Sequence, residues 1–183
     1  PLFDKLVFIS NSRLSESEVQ KLRDKHLIDD FIQRENKGYD FAAWHDGMEF
    51  VGFDNLKQYD SVTVMNDTCF GPLWDMAPIY DNYESNPNVD FWGMTNHQGI
   101  KAGDIYIHEH LQSYFISFKK RLVESSVFQK FWKSVESFED VQTVIDNYET
   151  LYTKKFMDAG FKNESFLNTL PLNDTFLQRN FKI

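Results

Sequence analysis

Runs of strand length alternate with stretches of helical periodicity along most of this chain, and that alternation limits the fold more than any other feature. Residues 3–10 are apolar and β-branched enough for a buried strand. Residues 15–25 read as a helix, with Ser15 as N-cap and Glu18 three positions on, the spacing of a capping box. A short second strand over 30–34 runs into the turn Glu35-Asn36-Lys37-Gly38. Residues 39–51 then place Phe41, Trp44, Met48 and Val51 on one helical face. Strands are expected over 59–65, 89–95 and 111–118, with a helical stretch over 74–83 and a glycine-containing loop over 97–104. Helices over 126–135 and 140–159 and a polar tail complete the pattern. Such alternation predicts an α/β fold, a mostly parallel sheet flanked by helices. Ligands of such sheets bind beyond the carboxyl ends of the strands, where 36–40, 66–72 and 95–110 fall.

The 183 residues fit one domain. The opening Pro1-Leu2-Phe3 carries no initiator Met and no signal-like segment, so the chain reads as a piece of a longer protein. Its apolar runs fall short of the roughly 20 residues of a membrane helix. With 19 Lys and Arg against 28 Asp and Glu, the net charge of −9 argues against nucleic acid as the main partner. The single Cys69 excludes an intramolecular disulfide and a cysteine-based zinc site and fits a reducing compartment. The 18 Phe, 8 Tyr and 4 Trp call for a heavily aromatic core, and Trp44, Trp74 and Trp92 are assigned to it before any sugar platform.

Four segments carry candidate chemistry. In Arg34-Glu35-Asn36-Lys37-Gly38-Tyr39-Asp40, a glycine after a strand permits close backbone approach, and the next helix offers free N–H groups to an anion. A plain β–α turn, with Asp40 placed for the helix dipole, is the competing reading. In the segment from Val62 to Pro72, Asn66-Asp67 follows a buried strand, where one carboxylate and a second oxygen suit a divalent cation shared with phosphates. An Asx turn without metal is the simpler reading of that pair alone. His108 and His110 share one side of a strand, and with His97 and Asp104 they could make a zinc hydrolase site. Finally, Glu149, beside Tyr148 on the long helix before Gly160, could take a proton from an attacking hydroxyl.

In order, these motifs are Arg34-x-Asn36-x-Gly38-x-Asp40 leading to Trp44 and Gly47, then Asn66-Asp67-x-x-x-Gly71-Pro72. Asp90-Phe91-Trp92-Gly93-x-Thr95 and His110-Leu111-Gln112-Ser113-Tyr114-Phe115 follow. The series resembles the rhamnan synthesis protein F family, bacterial glycosyltransferases of rhamnose-containing cell-wall polysaccharides, from about residue 3 to 161. More distantly it is similar to the family 2 glycosyltransferases of GT-A fold. That likeness implies a GT-A-like sheet lacking its first strand–helix unit, with a nucleotide-sugar half over 1–100, an acceptor half over 101–162 and a tail over 163–183.

The resemblance further implies inverting transfer of L-rhamnose from dTDP-L-rhamnose to a lipid-linked acceptor. Arg34, Asn36, Gly38, Asp40 and Asn66 would line the donor site, and Asp67 would hold Mg²⁺ or Mn²⁺. Glu149 would act as base, and His110, Gln112 and Tyr114 would border the acceptor. Only Asp67 is acidic in the metal motif, with Met65 where a first aspartate would stand. Without metal, Arg34, Lys37 or helix N-termini would have to meet the phosphates. The implied setting is cytoplasmic, peripheral at the inner face of the plasma membrane, beside other polysaccharide-assembly enzymes. The alternatives are a catalytically silent glycan- or nucleotide-binding module and the histidine-based hydrolase.

Overall fold

Capping and periodicity place the N-terminal elements where the sequence predicts them. The computed structural model describes residues 2–69, 71–102 and 105–169. β1 (Val7–Ser10) leads into α1 (Glu16–Asp24), whose N-cap Ser15 and Glu18 form the reciprocal capping box. β2 (Asp30–Gln33) pairs parallel with β1, and α2 spans Tyr39–Val51. A short α3 (Phe53–Leu56) precedes β3 (Ser61–Met65), and α4 (Ala77–Ser85) follows.

The remaining sheet departs from the expected mostly parallel arrangement. β4 (Phe91–His97) pairs antiparallel with β8 (Phe115–Lys119), which pairs antiparallel with β3. Near its end β4 also pairs antiparallel with β7 (His110–Leu111), while β9 (Asn163–Leu167) runs parallel to β4. The architecture is therefore a mixed α/β one. The physical reason lies in the connection. From β4 the chain passes through a small hairpin, β5 (Ile100–Ala102) and β6 (Ile105–Ile107), where a loop had been expected. Among the described residues no helix crosses over between β4 and β8, and a parallel return needs a long crossover, usually a helix. The predicted tail supplies β9, so residues 163–167 belong to the sheet.

The predicted strand over 111–118 is broken by a bulge. Between the pairs Gly93–Ile116 and Asn96–Leu111, β4 advances three residues while its partner advances five. The two extra residues throw Gln112, Ser113 and Tyr114 out of register. The predicted helix over 140–159 is broken as well. α7 (Val141–Val144) opens into a π-helical turn, Ile145–Glu149, before α8 (Tyr152–Asp158).

One aromatic core joins α2, the sheet, α6 (Ser126–Lys133) and α8, with Phe41, Trp44, Phe91, Phe118, Trp132 and Phe156 at its centre. The short α5 (Lys120–Val123) links β8 to α6. A second cluster on the other face packs Tyr80 and Tyr83 of α4 against Trp92 and Phe115. Trp44 and Trp92 lie in the core as expected. Trp74 does not: it is 61% exposed, beside Leu73, because the segment after Pro72 enters helix only at Ala77 and leaves Trp74 on a loop. Among the described residues, no helix is long and apolar enough to cross a membrane.

Candidate functional site

A cavity of about 890 Å³ lies between β1 and β3, with Asn11, Ser12, Asp40, Asn66 and Asp67 at one end. These residues follow the carboxyl ends of the two strands or open α2, which is where α/β sheets gather ligand-binding groups. A shallower depression of about 360 Å³, lined by Ser126, Gln129, Lys130, Lys133 and Ser134, holds none of the predicted residues.

Asp40 is positioned by an unusual helix start. Gly38, the N-cap, has φ +72° and Tyr39, the first residue of α2, φ +50°, so two successive residues are left-handed where the helix begins. A β-carbon at Gly38 would sit 2.5 Å from Ala42 Cβ and 2.8 Å from Ser137 Cα. Gly38 N–H donates to Phe138 O at 2.8 Å. The glycine thus serves the seating of α2 against the 137–138 loop, and it does not line the cavity. A left-handed tyrosine is a strained backbone of the kind that collects at functional sites.

From α2, Asp40 Oδ2 accepts a hydrogen bond from Asn66 Nδ2 at 2.7 Å. Burial pushes the Asp40 carboxyl above its usual range. The Asn66 amide opposes this, and the negative charges of Asp67 and Glu149 add to the rise. Asp67 is exposed, and no hydrogen bond ties its carboxylate among the described residues. Asn66 Oδ1 is already used, accepting from Thr68 N–H at 3.1 Å and from Thr68 Oγ1 at 2.7 Å. That is an Asx turn, and it makes Asn66 a positioning residue for Asp40 and Asp67 in place of a metal ligand.

Glu149 closes the π-helical turn and reaches the sheet bulge. Its Oε1 accepts from Ser113 Oγ at 2.8 Å. Single π-turns recur at functional sites because the extra residue re-aims a side chain. The bulge is held from its other side by Thr95, whose Oγ1 donates to Gln112 Oε1 at 2.6 Å. With that proton committed, the Tyr114 hydroxyl, 2.9 Å away, donates to Thr95. Burial raises the Tyr114 phenol above its ordinary range. Ser113 and Thr95 were not assigned roles from the sequence, although both stand inside the quoted motifs.

Other predicted residues take different places. Arg34 donates to Asp46 Oδ2 (2.6 Å), Asn11 Oδ1 (2.9 Å) and Lys37 O (2.7 Å), so its guanidinium ties α2 and the segment after β1 to the β2–α2 loop. Asn36 is exposed and does not line the cavity. His110 is buried, its Nδ1 2.8 Å from His108 O and its ring stacked on His97 with centroids 5.0 Å apart. Burial first, and then the neighbouring His97, lower its pKa against the opposing effect of the His108 carbonyl, Glu149 and Glu109. Among the described residues no three His, Cys, Asp or Glu side chains are grouped to hold a metal, and Asp104 of the alternative zinc set lies outside those residues. The donor set for Mg²⁺ or Mn²⁺ reduces to Asp67, which fits a cation completed by substrate phosphates.

The chain is 31% identical over 157 residues to the uncharacterized protein y4gN of Sinorhizobium fredii, a match covering 85% of this chain and 39% of that protein. It is 27% identical over 179 residues to the virulence protein VirA of Vibrio anguillarum, covering 96% of this chain and 53% of the relative. The chain thus spans about half or less of the length of these relatives. The model of the rhamnan synthesis protein F family matches residues 6–183, nearly the whole chain, and this chain belongs to that family.

Proposed function

We propose that this chain forms the nucleotide-sugar end of a polysaccharide-assembling glycosyltransferase of GT-A-like organisation. It would transfer L-rhamnose, with inversion, from dTDP-L-rhamnose to a lipid-linked glycan. The family assignment supports the role in polysaccharide synthesis. The single observation that carries the transferase reading is the Asn66–Asp40 hydrogen bond, with exposed Asp67 beside it, at the end of a cavity large enough for a nucleotide sugar.

In this reading the acceptor hydroxyl gives its proton to Glu149 while its oxygen attacks the anomeric carbon. The bond to the diphosphate oxygen breaks, and the electron pair leaves with dTDP. Ser113 fixes the Glu149 carboxylate, and Gln112 and Tyr114 border the acceptor with their polar atoms oriented by Thr95. His110 supports this edge from within. Asn66 orients Asp40 toward the donor. Mg²⁺ or Mn²⁺ held by Asp67 would supply charge neutralisation for the departing diphosphate. An acceptor of this kind sets the reaction at the inner face of the plasma membrane, with the protein cytoplasmic and peripheral and beside other assembly enzymes.

The test is a thermal-shift titration of the full-length protein with dTDP-rhamnose, UDP-glucose and GDP-mannose, each with and without Mn²⁺. Stabilisation selective for the dTDP sugar and dependent on Mn²⁺ is expected. Equal shifts with all three, or none, would remove the rhamnosyl reading. The Asx turn at Asn66, which consumes a potential ligand, favours a second reading, a silent binding module of the same fold. That reading is selected if donor binds, no sugar is transferred, and Glu149→Gln changes nothing.

A further inference from the structure

Both ends of the loop between β3 and α4 are fixed beside one side chain, Tyr114. At its start, Asn66 N–H donates to Tyr114 O at 3.2 Å. Burial raises the Tyr114 phenol, the Thr95 hydrogen bond opposes the rise, and Cys69 of the loop lies close enough to add to it. At the other end, Met76 packs with Tyr114 on the cluster of Tyr80, Trp92 and Phe115. Asp75 Oδ1 accepts from Ala77 N–H at 3.0 Å and fixes the turn into α4. Between these anchors stand Leu73 and Trp74, 70% and 61% exposed. Trp74 is two residues from Met76, a span of about 7 Å at most. Trp44, Trp92 and Trp132 are by contrast buried.

The polar groups beside this loop are ordered for hydroxyls. Thr95 Oγ1 gives its proton to Gln112 Oε1 and receives that of the Tyr114 hydroxyl. Among the described residues nothing takes the protons of Gln112 Nε2, and the Tyr114 oxygen keeps its lone pairs. Both side chains belong to half-buried residues and are oriented before any ligand arrives. A fixed donor beside a fixed acceptor matches two neighbouring hydroxyls, one accepting and one donating. An indole face close by suits the C–H face of a pyranose. The charge around the loop excludes an anionic occupant. From residue 58 to 100 the sequence has six Asp and Glu and no Lys or Arg, whereas an anionic membrane surface is recognised through basic side chains.

We propose that Trp74, with Leu73 at its side, is a stacking platform for a neutral pyranose of the acceptor glycan, whose neighbouring hydroxyls bond Gln112 Nε2 and the Tyr114 oxygen. That this sugar belongs to an acceptor rests on the transferase reading above; its binding needs no nucleotide. Ser113, next to Tyr114 in the bulge, holds Glu149, whereas Tyr114 packs on the α4 side of the sheet. The stacked sugar is therefore a neighbour of the reacting unit and not that unit itself. Glycans of two or more sugars are accordingly better acceptors than a single sugar.

The test titrates the full-length protein with a rhamnose trisaccharide, without nucleotide sugar. The tryptophan fluorescence that acrylamide quenches in the wild type and that Trp74→Phe removes belongs to Trp74. The trisaccharide should shield that fraction from acrylamide. Trp74→Ala should weaken trisaccharide binding about tenfold or more, with Tm within about 1 °C because the ring is exposed. Trp74→Phe keeps a ring and should recover most of the affinity. Gln112→Glu keeps an acceptor for Thr95 but loses the donor, and should weaken binding as much as Trp74→Ala. Binding that leaves Trp74 quenchable, or that is equally tight in Trp74→Ala, overturns the proposal. So does an absence of trisaccharide binding, and if dTDP-rhamnose still binds, the transferase reading survives it. Shielding by the trisaccharide with no donor binding sinks the transferase reading alone. Sedimentation with phosphatidylglycerol–phosphatidylcholine vesicles that Trp74→Ala abolishes, at unchanged trisaccharide affinity, assigns the loop to lipid and also overturns the platform.

Discussion

Asn66 Nδ2 donates to Asp40 Oδ2 at 2.7 Å, coupling the end of β3 to the first turn of α2 across the mouth of the cavity. Asp40 is held in a buried, negatively charged surrounding, where its ionised form is the costly one. Its contribution to stability is therefore full below the ordinary carboxylate range and is lost as pH rises through its raised folded value. Asp40→Asn should raise Tm at pH 7 by roughly 1–3 °C, flatten stability against pH above that range, and abolish donor binding. A lower Tm at pH 7 in calorimetry would contradict this account.

Glu149→Gln retains an oxygen that can accept from Ser113 Oγ, so the π-helical turn and bulge should persist. Transfer should fall by about 10²–10⁴-fold, the usual contribution of a positioned base. The donor dissociation constant should change little. Turnover assays paired with calorimetric titration separate the two effects, and an equal loss in both would assign Glu149 to binding.

Asp67→Ala removes the exposed carboxylate beside Asn66 at the end of the cavity. The Mn²⁺-dependent part of donor stabilisation should vanish while Tm without ligand stays within roughly 1 °C, because nothing among the described residues is hydrogen-bonded to it. Persistence of the Mn²⁺ effect in thermal shift would place the cation elsewhere.

Asp90, at the head of β4, receives Arg121 through Nε and Nη2, both at 2.5 Å, and Lys162 N–H at 2.8 Å. Burial alone would raise its carboxyl, but the Arg121 guanidinium and the Lys162 amide together hold it below the usual range. The stabilisation is present above that range and fades as pH falls through the folded value. Asp90→Asn should cost about 2 kcal/mol at pH 7, roughly 4–8 °C in Tm, and the deficit should shrink in acid. Thermal melts between pH 7 and 3 measure it.

Gly38→Ala places a methyl where Ala42 and Ser137 already stand and forces a left-handed alanine. A loss of about 2–3 kcal/mol follows, with weakened donor binding because the start of α2 carries Asp40. Denaturant melts at constant m-value check the first part.

Local physics made much of this legible in the sequence. The Ser15–Glu18 capping box, the span Tyr39–Val51 and its buried Phe41, Trp44 and Met48 depend on neighbours within a turn or two. Asp40 and Asn66, which the structure joins at the mouth of the cavity, both stood in the ordered motifs. Arg34 was misjudged because an arginine after a strand suits phosphate and loop carbonyls equally, and only the folded loop shows its donors spent. Trp74 was misjudged because apolar character does not say whether a loop is covered.

The sequence by itself determined the order of the N-terminal helices and strands and the residue types at the mouth, since period, caps and turn chemistry act over a few residues. Only the tertiary structure decided strand direction, the partnership of β9 with β4, the bulge that brings Ser113 to Glu149, and the hydrogen bond from Asn66 to Asp40. Those depend on hydrogen bonds and burial between segments up to about a hundred residues apart, where pairing is settled by which edges and faces remain to be satisfied once the whole chain has packed.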